Sequence, residues 1–227
     1  MLHCPAGKSA GLKTLSQFLG RKQSPDPPLL WKPDFSTHVA YICTMAAVRK
    51  YEEHYTISDW AEWKDRWELI EGLPYCMSPA PSGRHQLLAN LIGTELTLAL
   101  RSSPCKKCRV YQPVDWQISE DTVVEPDLII LCHPFSGSRL LQIPSAIFEI
   151  LSPSTRQKDK TVKFELYQSQ GVQQYTMVDP DTESLESYTL NAGGQYELSG
   201  TGPVLSLKAG DCELSIDFTR IWEEARE

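Results

Sequence analysis

Strand-like apolar runs alternate along the chain with two stretches of helical periodicity. Together they predict an α+β fold (mixed α/β), a mixed central β-sheet flanked by helices. Three observations carry that expectation. Residues 85–100 repeat Leu88, Leu91, Ile92, Leu96, Ala99 and Leu100 at three-to-four spacing, the pattern of a helix with one buried face. Residues 146–151 are apolar almost throughout, as in a strand covered on both sides. Ser154, with Gln157 three positions on, makes a capping box for a second helix over 155–170, and Gly171 is its stop.

The remaining elements follow in order. Residues 1–44 are rich in Gly, Pro and Ser and contain Ser24-Pro25-Asp26-Pro27-Pro28. A flexible extension is expected there, followed by one domain over 45–227. Lys8, Lys13, Arg21 and Lys22 precede the first acid, Asp26, a bias shared with organellar transit peptides. Met45 opens a stretch that reads as an ordinary protein start. Either translation begins there and residues 1–44 are not native, or they are a genuine tail; N-terminal sequencing of native protein separates the two. Ser58 is placed to cap a short helix over 60–65. Residues 67–72 alternate and stop at glycine, as a strand entering a hairpin does, with 73–77 as the return strand. Pro79, Pro81 and Gly83 interrupt the chain before the long helix. Strands are expected over 109–118 and 123–131, joined by Ser119-Glu120-Asp121, and over 174–178, 185–190 and 195–198. A helix over 216–224 closes the chain, and no repeat is present at any period.

Composition excludes several classes. Of 227 residues, 41% are hydrophobic and 22% charged, which fits a globular domain in water. No run of about 18 apolar residues exists, so no transmembrane helix or membrane partner is expected. A net charge of −7 argues against indiscriminate nucleic-acid binding, although a carboxylate cluster built for metal adds to that charge. Seven cysteines, an odd count without framework spacing, fit a reducing cytosol and hence a cytoplasmic protein. Cys105 and Cys108 form the sole CxxC. Without a second CxxC or paired histidines, that spacing favours small thiols in a turn over a zinc site.

Two carboxylates stand where structure alone would not put them. Asp127 follows Pro126 and opens the apolar run Leu128-Ile129-Ile130-Leu131; Glu149 interrupts Ile147-Phe148 and Ile150-Leu151. A buried carboxylate without a partner is costly, so such groups pair or bind metal. Asp127 alone also reads as a turn residue at a strand entry, and Glu149 alone as half of a buried salt bridge. Together, on neighbouring strands, they argue for a joint hard-cation site, whose oxygen ligands select Mg²⁺ or Mn²⁺ over zinc. On the following helix, Val162, Leu166 and Tyr167 define an inner face with Lys163 in its middle and Asp159 one turn earlier. Lys163 either pairs with Asp159 on the helix or reaches Glu149 and a scissile phosphate. Lys160, at the margin of that face, is the second choice.

The segments Trp67-Glu68-Leu69-Ile70-Glu71-Gly72, Met77-Ser78-Pro79, His85, Glu125-Pro126-Asp127, Phe148-Glu149-Ile150-Leu151-Ser152-Pro153-Ser154-Thr155, Asp159 to Lys163, Tyr167, Gly171-Val172 and Val178-Asp179-Pro180 occur in this order. In that arrangement the chain resembles the Uma family of restriction endonucleases, within the PD-(D/E)xK superfamily, over roughly residues 50–225. The resemblance implies a restriction-endonuclease-like core with its site at one end of the sheet. It implies Asp127 and Glu149 as the two metal-binding acids, the Ile150 backbone carbonyl as third metal ligand, and Mg²⁺ as cofactor with Mn²⁺ as substitute. The superfamily's lysine is expected two residues after the second acid, where this chain has Leu151. That departure points to Lys163 for the same role. Glu68 matches an acid of the family's first motif and is expected to contact metal-bound water, or else to be a solvent-facing strand residue. His85 is either a phosphate contact or proton relay, or a solvated helix entry.

The function implied is divalent-metal-dependent hydrolysis of phosphodiester bonds, with DNA as the nucleic-acid partner. A catalytically silent nuclease fold acting as a binding or assembly module is the alternative, favoured by the acidic charge. Arg156, Lys158, Lys160 and Lys163 do cluster, but Asp159 and Glu165 dilute them. The joint presence of Asp127, Glu149 and Lys163 favours the enzyme. A two-carboxylate glycosidase lacks its aromatic sugar platforms here. A homodimer is expected by analogy with nucleases that cut both strands.

Overall fold

The computed structural model describes residues 53–77 and 80–226. The expectations for residues 1–44, for Met45 and for Ser78-Pro79 lie outside them. The first element is a single turn, α1 (Ile57–Trp60). Thr56 caps it instead of Ser58, because the Asp59 carboxylate accepts from both the Thr56 amide and its hydroxyl at 2.8 Å. The expected helix over 60–65 is therefore displaced and shortened. Next, β1 (Trp67–Ile70) and β2 (Leu73–Cys76) form the anticipated hairpin, with Ile70 opposite Leu73. Its turn sets both Glu71 (φ 51°) and Gly72 (φ 77°) in the left-handed region, as a two-residue hairpin of this hand requires. Ser82 caps the long helix α2 (Gly83–Ser102) by accepting from the His85 amide at 3.2 Å.

Each of the two long strands expected next is divided. Residues 109–118 become β3 (Arg109–Tyr111) and β4 (Trp116–Ser119), and residues 123–131 become β5 (Thr122–Val124) and β6 (Leu128–Leu131). Pro113 and Pro126 lie in the two interruptions, since proline has no N–H for a ladder. At both points the chain passes between sheets. Then come β7 (Ala146–Ile150), α3 (Arg156–Lys160) and α4 (Val162–Ser169). A continuous helix over 155–170 was expected, but Thr161 breaks it with φ −126° and ψ −78°. The Thr161 hydroxyl donates to the Gln157 carbonyl at 2.7 Å, offering the backbone an alternative to the helical ladder. Ser152, not Ser154, supplies the hydroxyl that accepts from the Thr155 amide, at 3.2 Å.

The chain ends with β8 (Gln174–Asp179), β9 (Ser184–Leu190), β10 (Tyr196–Gly200), β11 (Val204–Ala209), β12 (Cys212–Asp217) and α5 (Phe218–Glu224). The β11–β12 hairpin was not anticipated, and the closing helix starts at Phe218, two residues later than expected, because Ile216 belongs to β12. Burial in β11 alternates strictly, Leu205, Leu207 and Ala209 pointing inward.

A six-stranded mixed sheet in the order β10-β9-β8-β7-β6-β3 is the centre of the fold; β7 and β8 are its parallel pair. One face carries Leu128, Ile130, Ala146, Phe148 and Ile150, packed against Leu88, Ile92 and Leu96 of α2, the β11–β12 hairpin and α5. The other carries Ile129, Leu131, Ile147, Tyr175 and Met177, packed against Tyr167 of α4 and against Ile70, Trp116 and Val124. These last three belong to the smaller sheet β2-β1-β5-β4. Among the described residues no helix is long and apolar enough to cross a membrane.

Arg156, in the first turn of α3, fastens that helix to the end of β8. Its guanidinium bonds both Asp179 oxygens and reaches Asp181 at 3.2 Å. The Arg156 hydrogen bond holds the Asp179 carboxyl at about 2, below its ordinary 3.8. A carboxyl depressed in the folded state stabilises above its unfolded value and loses that contribution as pH falls towards the folded one. Urea unfolding between pH 3.8 and about 2 is therefore expected to show a steeper loss of stability in the wild type than in Arg156→Gln. Equal slopes would mean that the pair contributes nothing.

Candidate active site

The register of the central sheet brings the two acids together. Leu128 pairs with Phe148 across β6 and β7, so Asp127 and Glu149 occupy the next opposed positions at the same sheet end. The backbone reinforces the pairing: the Ile150 amide donates to Asp127 Oδ2 at 2.8 Å, and the Asp127 amide lies 3.4 Å from Glu149 Oε2. Glu149 shares a strand face with Ile147 and so points beneath α4. It is 3% exposed.

Lys163 is the cation that meets it. At 3% exposure, its Nζ lies 2.9 Å from Glu149 Oε1, 2.8 Å from Glu68 Oε1 and 3.7 Å from Asp159 Oδ1. Lys163 thus meets both Asp159 on its own helical segment and Glu149 across the fold, the Glu149 contact being the closer. The Tyr167 hydroxyl donates to the same Glu149 oxygen at 2.9 Å. Glu68 is 1% exposed, which overturns the solvent-facing alternative for it. Both its oxygens are engaged: Oε1 by Lys163 and by the Glu125 amide at 2.9 Å, Oε2 by Lys158. His85, at the start of α2, lies 3.1 Å from Asp127 Oδ2, with the Ile150 carbonyl beside the same ring. Lys160 is outside the cluster, exposed and 3.3 Å from Glu186. Lys158 was read only as part of a diluted basic run. Its partner Glu68 is buried because other elements cover that strand face, which alternation in the sequence does not specify.

The charges do not balance. Glu68, Asp127, Glu149 and Asp159 face Lys158 and Lys163, with His85 at the margin. Burial, followed by repulsion from Asp127, Asp159 and Glu68, pushes the Glu149 carboxyl well above its ordinary range, against the pull of Lys163. Burial would lower the Lys163 ammonium, but Glu149 and Glu68 outweigh it and hold the lysine charged. For Glu68, Lys163 and Lys158 outweigh burial and keep the carboxyl below its usual value. Asp159 Oδ1 is buried without a hydrogen bond, and burial raises its carboxyl.

These groups line a cleft of about 380 Å³, together with Arg66, Gln86, Asn90, Gln112 and Ser154. Among the described residues, no three carboxylates, imidazoles or thiols already stand in ready-made metal geometry. Within the cleft, Lys163 and Tyr167 occupy one Glu149 oxygen, while His85 and the Ile150 amide occupy one Asp127 oxygen. The surplus of carboxylates over lysines, with an oxygen left unbonded in the interior, is a donor set that suits a hard divalent cation. Asp127, Glu149 and the Ile150 carbonyl are adjacent at the sheet end, so the residues present fit such an ion.

The profile of the Uma2 family, described as "Putative restriction endonuclease", matches residues 51–218. Among solved structures, the chain is similar to a putative nuclease belonging to DUF820 from Anabaena variabilis ATCC 29413, at a TM-score of 0.61. The two are 18% identical, and the match covers 75% of this chain and 99% of that one. At that identity the likeness concerns the fold. No curated protein matches the chain. With the family profile spanning most of its length, the chain belongs to the Uma2 family.

Proposed function

We propose that this chain is a divalent-metal-dependent endonuclease that hydrolyses phosphodiester bonds in DNA. The observation that carries the reading is the opposed pair Asp127 and Glu149 at the sheet end, with Lys163 buried against Glu149 at 2.9 Å. Family membership supports nuclease chemistry, and the cleft that these acids and lysines line supports a substrate binding beside them.

In this reading Asp127 and Glu149 hold the cation, with the Ile150 carbonyl as third ligand; Mg²⁺ is the natural occupant and Mn²⁺ its substitute. When bound, such an ion polarises a phosphoryl oxygen and acidifies water. The chain's own residues do the rest. Lys163, held charged by Glu149 and Glu68, offsets the negative charge that develops on the phosphoryl oxygens. Glu68 acts as a positioning residue, fixing Lys163 with one oxygen and Lys158 with the other. Tyr167 orients the Glu149 carboxylate, and His85 fixes the Asp127 rotamer from the cleft side.

Cleavage of duplex, single-stranded and branched DNA in Mg²⁺ or Mn²⁺, with a chelator control, tests the activity. In Asp127→Asn and Glu149→Gln, cleavage is expected to fall at least ~100-fold while circular dichroism and unfolding midpoints stay near wild type. Mn²⁺ titration by calorimetry should lose its heat in both variants. Wild-type cleavage by either variant would sink the reading. Absence of cation binding by a folded wild type would favour a silent binding module.

Lys163→Met is expected to abolish cleavage and to cost about 3–5 kcal/mol in the metal-free chain, since two buried carboxylates lose their shared cation. Lys160→Met, on an exposed pair, should cost at most about 1 kcal/mol. Urea unfolding of the two variants side by side measures the contrast, and equal losses would contradict it.

A further inference from the structure

We infer that Cys105, Cys108, Cys132 and Cys212 form a structural zinc site, separate from the carboxylate cleft. The CxxC that the sequence presented as two small thiols in a turn meets two further cysteines in the fold. Cys105 and Cys108 flank the turn between α2 and β3. Arg109 pairs with Leu131 across β3 and β6, which sets Cys108 directly opposite Cys132 at the next position. Cys212 opens β12, opposite Ala209 at the end of β11.

The four sulfurs lie as two joined pairs, Cys105 with Cys212 and Cys108 with Cys132. Both pairs surround the same hairpin turn. Cys108 Sγ is 3.7 Å from the Ala209 carbonyl, and a Cβ added to Gly210 would stand 3.3 Å from Cys132 Sγ. The Gly210 φ of 59° also favours glycine at this position. One turn thus gathers four cysteines from three segments, as the ligands of a single ion are gathered. The Cys108 and Cys132 Cα atoms are 3.9 Å apart, inside the roughly 4.4 Å lower bound of ordinary disulfides. Zinc bonds of about 2.3 Å in a tetrahedron would hold the sulfurs ~3.8 Å from one another.

The surroundings suit thiolates. Four cysteines bound to Zn²⁺ give up four protons to solvent and leave a net charge of −2, which nearby cations stabilise. Arg101, Lys106, Lys107 and Arg109 all lie in the segment around the CxxC; in the hairpin turn, Asp211 is exposed. Cys108 and Cys212 are buried, and Cys105 and Cys132 are half-buried against the same core, the protection expected of a structural site. The site would clasp three segments: the α2–β3 turn, the end of β6 and the C-terminal hairpin. It lies beyond one end of β6, and Asp127 lies just ahead of the other, about 17 Å away at ~3.3 Å per residue.

The test uses the full-length chain, purified under reducing conditions without chelators. Elemental analysis is expected to find about one zinc per chain, released when a mercurial blocks the thiols. Cobalt in its place should give thiolate-to-metal charge-transfer absorption and the intense visible bands of a tetrahedral site. Cys212→Ser should lose the metal, while Asp127→Asn should keep it, separating this site from the carboxylate cleft. A folded wild type without zinc whose peptide map contains two disulfides would overturn the proposal. So would zinc retained at full occupancy in Cys212→Ser, or iron–sulfur absorption. Cysteine substitution risks misfolding, but the wild-type cobalt spectrum and peptide map decide without it.

Discussion

A carboxylate in the interior of a sheet is tolerated only if something positive reaches it, and that constraint on Glu149 organises this fold. The strand that carries it is covered on both faces, so water cannot serve as the partner. The following helix has to return across the sheet at one height and rotation, so that Lys163 ends against Glu149. Tyr167, one turn later, completes the contact with its hydroxyl. The same face brings Tyr175 of β8 against the helix, its hydroxyl donating to the Asp159 carbonyl at 3.0 Å. Helix and strand are thus held together by polar bonds within a mostly apolar layer. Such bonds specify a single arrangement more sharply than apolar packing alone.

Around that contact the two sheets divide the work. The large sheet presents Asp127 opposite Glu149 through nothing more than antiparallel register. The small sheet lends Glu68 from β1, which reaches under α3 and closes the cluster from a third direction. Prolines at the sheet changes matter for this geometry. By ending β5 before Pro126 and restarting at Leu128, the chain leaves Asp127 outside the ladder, with its side chain free to turn towards the cleft. The imbalance of four acids against two lysines is then a property of topology, since its members come from β1, the residue before β6, β7 and the two short helices.

Much of this was legible in the sequence because burial has rules. Glu149 stood out as a charge inside an apolar run, and Lys163 as a charge on an apolar helix face. Both readings rest on periodicity, and both side chains are buried. Glu68 was ambiguous because alternation says which residues share a face, not which face a neighbouring helix will cover. Lys158 was hidden for the same reason. The missed β11–β12 hairpin did carry a period-two pattern, but polar residues between its apolar positions made it look like surface. Pro113 and Pro126 marked the divided strands, yet nothing local says that a chain leaves one sheet for another. The meeting of Cys132 and Cys212 with the CxxC depends on contacts between segments up to 107 residues apart, beyond any spacing rule.

The interruption at Thr161 has a geometric consequence. In an unbroken helix, residues five apart point about 140° away from each other, on nearly opposite sides of the cylinder. Lys158 and Lys163 would then be unable to grip one carboxylate. The break reorients α3 against α4, and the two ammonium groups take one oxygen of Glu68 each. A defect in regular structure thereby becomes a two-jawed vice, and straightening it would leave one of Glu68's oxygens buried with no positive charge to meet it.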